Sequence, residues 1–263
     1  MNAILYESVC KRFNSSERPA VDHVNAEILA GEFITILGSS GCGKTTLLKL
    51  TNRLQDPDSG RILVMGEDIQ NTDPVTLRRR MGYVIQQIGL FPHMTVKQNI
   101  TVIPQLMKWD RRKMASRADE LIRLVGLDPE EFRDRYPHQL SGGQQQRIGL
   151  ARALVLDPEI LLMDEPFGAI DAITRLRLQN ELIHLQQKLG KTILFVTHDI
   201  NEAFRLGDRV MIMNEGKLLQ FDTPSDIKNH PADVFVRSLI AAAGAQEFFQ
   251  TGKSSSEKER ETK

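Results

Sequence analysis

Eight consecutive residues, Gly38-Ser39-Ser40-Gly41-Cys42-Gly43-Lys44-Thr45, satisfy G-x-x-x-x-G-K-[ST] in full. The glycines let backbone N–H groups turn inward around phosphate oxygens, where side chains would block them. The motif follows the apolar run Phe33-Ile34-Thr35-Ile36-Leu37 and precedes Thr46-Leu47-Leu48-Lys49-Leu50, so it reads as a strand, a turn and the start of a helix. The helix N-terminus adds partial positive charge, Lys44 reaches the β- and γ-phosphates, and the Thr45 hydroxyl can ligate Mg²⁺. Cys42 is read as a small side chain filling a loop position, in preference to a redox switch, because a reactive thiol needs exposure.

Two further groups could complete a phosphate chemistry. Asp164-Glu165 closes the run Ile160-Leu161-Leu162-Met163, which sets two carboxylates at the C-terminal end of a buried strand. Asp-Glu after a strand is equally a solvated acidic loop when it stands alone; with a phosphate loop upstream it becomes a site. A parallel sheet brings that strand end beside the loop, so Asp164 can hold Mg²⁺ through water while Glu165 polarises an attacking water. Leu140-Ser141-Gly142-Gly143-Gln144 precedes the helix-forming run Gln145-Gln146-Arg147-Ile148, a second helix N-terminus able to receive an oxyanion. Ser-Gly-Gly also occurs as a plain flexible loop. One nucleotide does not need two such cradles from one chain, and the economical explanation is that this one completes the site of a symmetry-related second subunit.

The elements that must position these residues alternate along the chain. Ile160–Met163 and Thr192–Val196 read as fully covered strands of a largely parallel sheet. Between them Leu178, Leu182, Leu185 and Leu189 recur at helical spacing and Gly190 ends the helix. Strand, helix, strand implies a βαβ crossover and a doubly wound sheet with ligands at the strand C-termini. Residues 3–13 and 21–37 look like antiparallel strands, and Val210–Met213 with Leu218–Phe221 look like a hairpin. Residues 95–135 are helix-rich, punctuated by Pro104, Gly126 and Pro129. The expected organisation is one domain over 1–235, with a helical subdomain at about 95–150, and an extension over 236–263 disordered from residue 251.

Composition bounds the partners. The 263 residues carry 34 basic and 34 acidic side chains, so no global field draws the chain to nucleic acid or anionic lipid. Two cysteines make no disulfide framework and suit a reducing cytosol. The longest nearly apolar stretch, Val234–Ala245, is broken by Arg237 and falls short of the ~20 residues a membrane span needs. No signal peptide is visible. The chain is expected to be soluble and to meet a membrane only through a partner.

Taken together these motifs resemble the nucleotide-binding subunit of an ABC transporter. The likeness runs from about residue 3 to residue 235. It adds Gly-Ala-Ile-Asp (168–171) and Val-Thr-His-Asp (196–199) to the phosphate loop, Leu-Ser-Gly-Gly-Gln (140–144) and Ile-Leu-Leu-Met-Asp-Glu-Pro (160–166), all in family order. It implies a P-loop NTPase fold with a doubly wound, mostly parallel α/β sheet, an N-terminal antiparallel β subdomain and an inserted helical subdomain. It also implies ATP and Mg²⁺ as ligands, ATP hydrolysis, and a head-to-tail dimer with a second copy. By position, Phe13 matches the aromatic that stacks on adenine, with a core phenylalanine as the alternative. Gln86 matches the glutamine that reaches Mg²⁺ and the attacking water, with Gln87 as rival; counting back from Leu90-Phe91-Pro92 favours Gln86. Asp171 matches the aspartate that bridges subunits. His198, 33 residues after Glu165, matches the histidine at the γ-phosphate. Ile170 stands where the family has leucine, a swap that keeps the volume.

Within the family, Asp73-Pro74-Val75, the stretch Leu77–Gly89, Arg135-Tyr136-Pro137-His138-Gln139 and Asp171-Ala172-Ile173-Thr174-Arg175 resemble the ATPases of osmoprotectant uptake systems. The likeness implies import of quaternary ammonium solutes such as glycine betaine, carnitine or choline. The chain would sit at the cytoplasmic face of the inner membrane on transmembrane permease subunits, served indirectly by a substrate-binding protein. Another small solute, such as an amino acid, is the alternative. A soluble ABC ATPase of DNA repair or ribosome handling would bring coiled-coil insertions, zinc-ligand cysteines or a second cassette, and the sequence has none of them. Many osmoprotectant ATPases carry a C-terminal pair of regulatory CBS domains; a polar tail stands at that point here, so the likeness does not carry such sensing over. The solute never touches this subunit in such systems, and Trp109 is read as a helix-packing or exposed aromatic. Arg78-Arg79-Arg80, after the helix start Asp73-Pro74, is read as a solvated face.

Overall fold

The computed structural model describes residues 1–14, 17–86, 89–168 and 170–242. Gln87 and the tail from residue 251 fall outside them. In chain order the elements are β1 Asn2–Lys11, β2 Val21–Leu29, β3 Phe33–Gly38, α1 Lys44–Thr51, β4 Ser59–Val64, β5 Glu67–Asp68, α2 Pro74–Arg79 and β6 Met81–Val84. There follow α3 Val96–Leu106, α4 Arg111–Leu124, α5 Pro129–Phe132, α6 Gly142–Ala153, β7 Ile160–Asp164, α7 Ala172–Leu189 and β8 Thr192–Thr197. The last are α8 Ile200–Leu206, β9 Arg209–Asn214, β10 Lys217–Asp222 and α9 Pro224–Asn229.

Two sheets form. The first is antiparallel, in the order β2-β1-β4-β5. The second has the order β10-β9-β3-β8-β7-β6, and every neighbouring pair in it from β9 to β6 is parallel, leaving β10 as an antiparallel edge. The segment 21–37 therefore splits: 21–29 is antiparallel, as its alternating burial suits, whereas β3 is buried at all six positions and lies in the middle of the parallel sheet. Continuous apolar character is the mark of a strand covered on both faces.

Alternation along the central strands sorts side chains between layers. Ile160, Leu162, Leu194 and Val196 pack with Leu47 and Leu48 of α1 and with Ile4, Tyr6 and Ile28 of the antiparallel sheet. Leu161, Met163, Ile193 and Phe195 face the other way, into a core shared with Ile100, Leu121, Ile148, Leu178 and Leu182 of the helical layer. A third cluster joins Leu37, Ile200, Val210 and Ile227 to the fully buried Val236, with Leu239 and Ile240 against it, so packing continues past residue 235.

The helix signals act where sequence places them. Asp73, Thr95, Asp110, Asp128, Ser141, Asp171, Asp199 and Thr223 each accept a backbone N–H as N-cap. Gly190 ends α7 in the left-handed conformation, φ 62°. Pro104 lies within the last turn of α3 instead of ending it. Arg78 and Arg79 are exposed, but Arg78 also donates to the Asn52 and Arg53 carbonyls and Arg80 pairs with Glu67 at 2.9 Å, so the basic run fastens α2 to its surroundings.

Candidate functional site

Register explains why residues far apart in sequence converge. Leu37 pairs with Thr197, Asp164 with Val196, and Val84 with Met163. Four parallel strands thus end along one edge, and each delivers a loop there. These are the phosphate loop after β3, His198 after β8, Asp164-Glu165 at β7 and Gln86 after β6.

The phosphate loop is held from both sides. A Cβ on Gly43, at φ 108°, would lie 2.0 Å from the Ala20 carbonyl oxygen, and one on Gly38 would lie 2.1 Å from that of Met213. Only glycine allows that approach, which packs the loop against the entry to β2 and the end of β9. Lys44 is buried and its ammonium donates to the Gly38 and Ser39 carbonyls at 2.8 and 2.9 Å, so the loop wraps its own cation. The N-cap of α1, Gly43, has no side chain to satisfy the first-turn N–H groups, and that turn carries no acidic residue. Backbone donors and the helix dipole are left facing outward, as an anion requires. Ser40 and Gly41 are exposed and Thr46 half-buried. Ser39 donates its hydroxyl to Asn214 Oδ1 at 3.3 Å. Cys42 is buried, and burial pushes its thiol up despite the neighbouring Lys44, which suits a loop-filling residue.

Thr45 Oγ1 donates to Asp164 Oδ1 at 2.8 Å, tying the loop to β7. Burial holds the Asp164 carboxyl above its usual range, with the Glu165 charge adding to the rise and the Thr45 hydroxyl opposing it. Burial, and then the Asp164 charge, push the nearby Tyr83 phenol up to about 12. Glu165 takes φ 44°, a left-handed conformation that costs a non-glycine residue roughly 1–3 kcal/mol and concentrates at functional sites. Its N–H is anchored on the Val196 carbonyl at 3.1 Å. Its Oε2 accepts from Gln86 Nε2 at 3.1 Å and lies 3.3 Å from His198 Nδ1. Thr45 is thus bonded to Asp164, and Gln86 and His198 to Glu165, with Lys44 next to Thr45 and Asp164 next to Glu165 along the chain.

Phe13 is half-buried in the loop that follows β1. Its loop is closed by Ala20 N–H donating to the Lys11 carbonyl at 2.7 Å, and Ala20 touches Gly43. Asp58 pins the same loop, taking the Lys11 ammonium and the Arg12 N–H at 2.7 Å each. Those bonds hold the Asp58 carboxyl below its usual range. The Lys11 ammonium lies 5.9 Å from the Phe13 ring centroid.

Ser141, Gly142, Gly143 and Gln144 stand apart. Ser141 Oγ accepts from Gln144 N–H at 3.3 Å, and the Gln144 carboxamide takes the Ser141 N–H at 2.9 Å, a reciprocal capping box. Helix α6, which they begin, packs on α3, α4 and the edge strand β6. That strand is three positions from β3, about 14 Å across the sheet. Among the described residues no hydrogen bond joins this turn to the phosphate loop. Asp171 caps α7 through Thr174 N–H at 3.0 Å, which holds its carboxyl below the usual range, and it too is exposed. The Ile170 carbonyl accepts from Arg175, whose guanidinium lies 3.8 Å from Asp199.

Sequence reasoning missed the supports. Glu202 is buried and accepts from Thr197 Oγ1 and Gln179 Nε2, joining β8, α7 and α8 directly behind His198. Burial raises its carboxyl above the usual range, against the pull of those hydrogen bonds. The only sequence signal was an acidic residue three after the cap Asp199, which suggests a capping box; the side chain turns inward instead. Asp58 carried no signal at all.

The model of the family described as "ABC transporter" matches residues 21–168. The choline transport ATP-binding protein OpuBA of Bacillus subtilis (strain 168) is 55% identical over 234 residues, 89% of this chain and 61% of that protein. The glycine betaine/carnitine/choline transport ATP-binding protein OpuCA of the same organism is 54% identical, again over 89% of this chain and 61% of the relative. The chain thus spans about three-fifths of the length of these curated relatives. The dimeric post-hydrolysis structure of the ATP-binding cassette MJ0796, bound to ADP and Pi, superposes with a TM-score of 0.74 at 33% identity, over 84% of this chain and 98% of that one. With the family model covering more than half of its length, this chain belongs to the ABC transporter family.

Proposed function

We propose that the chain binds and hydrolyses ATP and energises solute import through partner membrane subunits. The observation that carries the reading is the convergence of Lys44, Thr45, Asp164, Glu165, Gln86 and His198 at one sheet edge. The phosphate loop N–H groups and Lys44 bind the β- and γ-phosphates, and Phe13 stacks on the base. Glu165 orients the attacking water and takes up its proton, His198 donates to the γ-phosphate oxygen, and Gln86 fixes the Glu165 carboxylate. The hydroxyl of Thr45, the carboxylate of Asp164 and the carboxamide oxygen of Gln86 are hard oxygen donors of the kind Mg²⁺ takes. Bound there, Mg²⁺ would neutralise charge developing on the β- and γ-phosphate oxygens.

Hydrolysis requires two copies. The Ser141–Gln144 turn of one copy closes over the nucleotide on the other, with Asp171 bridging the seam. The dimeric state of the MJ0796 cassette bound to ADP and Pi supports this arrangement. Among the described residues no helix is long and apolar enough to cross a membrane. A groove of about 600 Å³ beside α2, α3 and α6 exposes Val75, Phe91, Ile103 and Leu106, with Arg78 and Arg79 at its rim. An apolar patch of that kind suits a protein partner, here a permease subunit at the cytoplasmic face of the membrane. The solute is a quaternary ammonium compound, delivered to the permease by a separate binding protein.

Light scattering on Glu165→Gln with and without Mg-ATP tests the mechanism: a nucleotide-dependent shift from monomer to dimer is expected. A monomer in both states, with ATP demonstrably bound, overturns the shared site. Reconstitution with the permease tests the solute. Uptake of choline, carnitine or glycine betaine is expected; uptake of an amino acid and none of these rejects the osmoprotectant reading.

A further inference from the structure

A second concavity, of about 340 Å³, lies between the helical layer and the sheet, on the face of β7 turned away from α1. That volume falls in the range of small-molecule pockets. Its walls are Leu150 of α6, Met163 of β7, Phe167, and Leu178, Leu182 and Leu185 of α7. Two features distinguish it from a packing gap. Gln146 of α6 is only 8% exposed and lines the cavity, yet its carboxamide has no hydrogen-bond partner among the described residues. With its donors and acceptor unused by the protein, that carboxamide offers hydrogen bonds to a polar group entering the cavity. At the mouth, Arg123, His184 and Lys188 are exposed, and none has an ion-pair or hydrogen-bond partner among the described residues. The acidic lining residue Glu181 is already held by Arg147 at 2.7 Å and Arg177 at 3.2 Å, so it does not balance them.

We propose that this cavity binds a small amphipathic anion, a medium-chain carboxylate in chemical class. Its carboxylate accepts from the Gln146 carboxamide and is balanced by Arg123 and Lys188, and its apolar body lies along the α7 leucines. A fully apolar ligand would leave Gln146 unbonded, and a cationic one would meet the uncompensated positive rim. An occupant of this cavity touches both α6, which starts at Ser141, and Phe167, two residues after Glu165.

The inference stands apart from the proposed transport role, because binding is read without nucleotide. Titration calorimetry of the full chain with decanoate is expected to give saturable one-to-one binding, with decyltrimethylammonium at least tenfold weaker. The Arg123→Glu/Lys188→Glu double variant alters only exposed side chains, and it should weaken decanoate binding at least tenfold. Leu150→Trp, which fills the cavity, should abolish it, with circular dichroism checking that both variants fold. No saturable binding of decanoate, equal affinity for the cationic probe, or undiminished binding by the folded Leu150→Trp protein overturns the proposal. If Leu150→Trp does not fold, the rim variant decides: unchanged affinity there rejects the site.

Discussion

The two helix N-termini proposed to meet phosphate are finished to different degrees. The first, at α1, is clamped by Ala20 and Met213, filled by Lys44 and bonded through Thr45 to Asp164. The second, at α6, satisfies only itself: Ser141 and Gln144 exchange hydrogen bonds and face solvent. The contrast fits the proposed division of labour, in which one chain supplies a complete receptor for phosphate and a lid for the site of another copy. In the proposed dimer, a rigid capping box with no partner of its own is preorganised for the surface that the other copy supplies.

The sharpest way to break the contrast is at Glu165. Glu165→Gln should bind ATP normally and lose about 10³-fold in kcat, the scale of a lost general base; normal turnover in a steady-state assay would remove Glu165 from that role. Ser141→Arg tests the orphaned lid from the other side. ATP hydrolysis should fall by about 10²-fold while equilibrium binding of ATP to each monomer holds. A variant that hydrolysed normally would show that the second N-terminus is not part of any site. Phe13→Ala asks whether the first site extends to the base. It should raise KM for ATP about tenfold at constant kcat, within the ~1–3 kcal/mol that stacking of one base supplies; an unchanged KM would return Phe13 to a packing role.

The smallest effect concerns the scaffold behind the first site. Native Glu202 holds its proton more tightly than the unfolded chain does, because burial raises its carboxyl. Stability should therefore fall as pH rises from the ordinary carboxylate value of ~4.3 up through the raised native one, and level off above it. Glu202→Gln should flatten that decline in urea unfolding followed across pH. An identical slope in both proteins would mean that Glu202 does not set it.

Local chemistry explains what was legible in advance. The phosphate loop, the helix start at Ser141 and the end of α7 at Gly190 are short-range devices whose partners lie within a few residues. Fully apolar runs at 33–37, 160–163 and 192–196 announced a sheet covered on both faces. The assignment of 21–37 to antiparallel strands failed within one segment. An apolar run does not say which sheet it joins; that depends on pairing with β8 and β9, more than 150 residues away.

By itself, then, the sequence determined the phosphate loop, the carboxylates after β7, the second helix N-terminus and the alternation of strands with helices, since each rests on backbone conformation and neighbouring side chains. Tertiary structure alone decided that Gln86, Glu165 and His198 meet, because parallel register aligns the ends of β6, β7 and β8. It also decided that Glu202 turns inward to Thr197 and Gln179, that Asp58 pins the loop of Phe13, and that Gln146 faces a cavity without a partner. Those outcomes depend on burial and on contacts across the fold, and no local spacing encodes them.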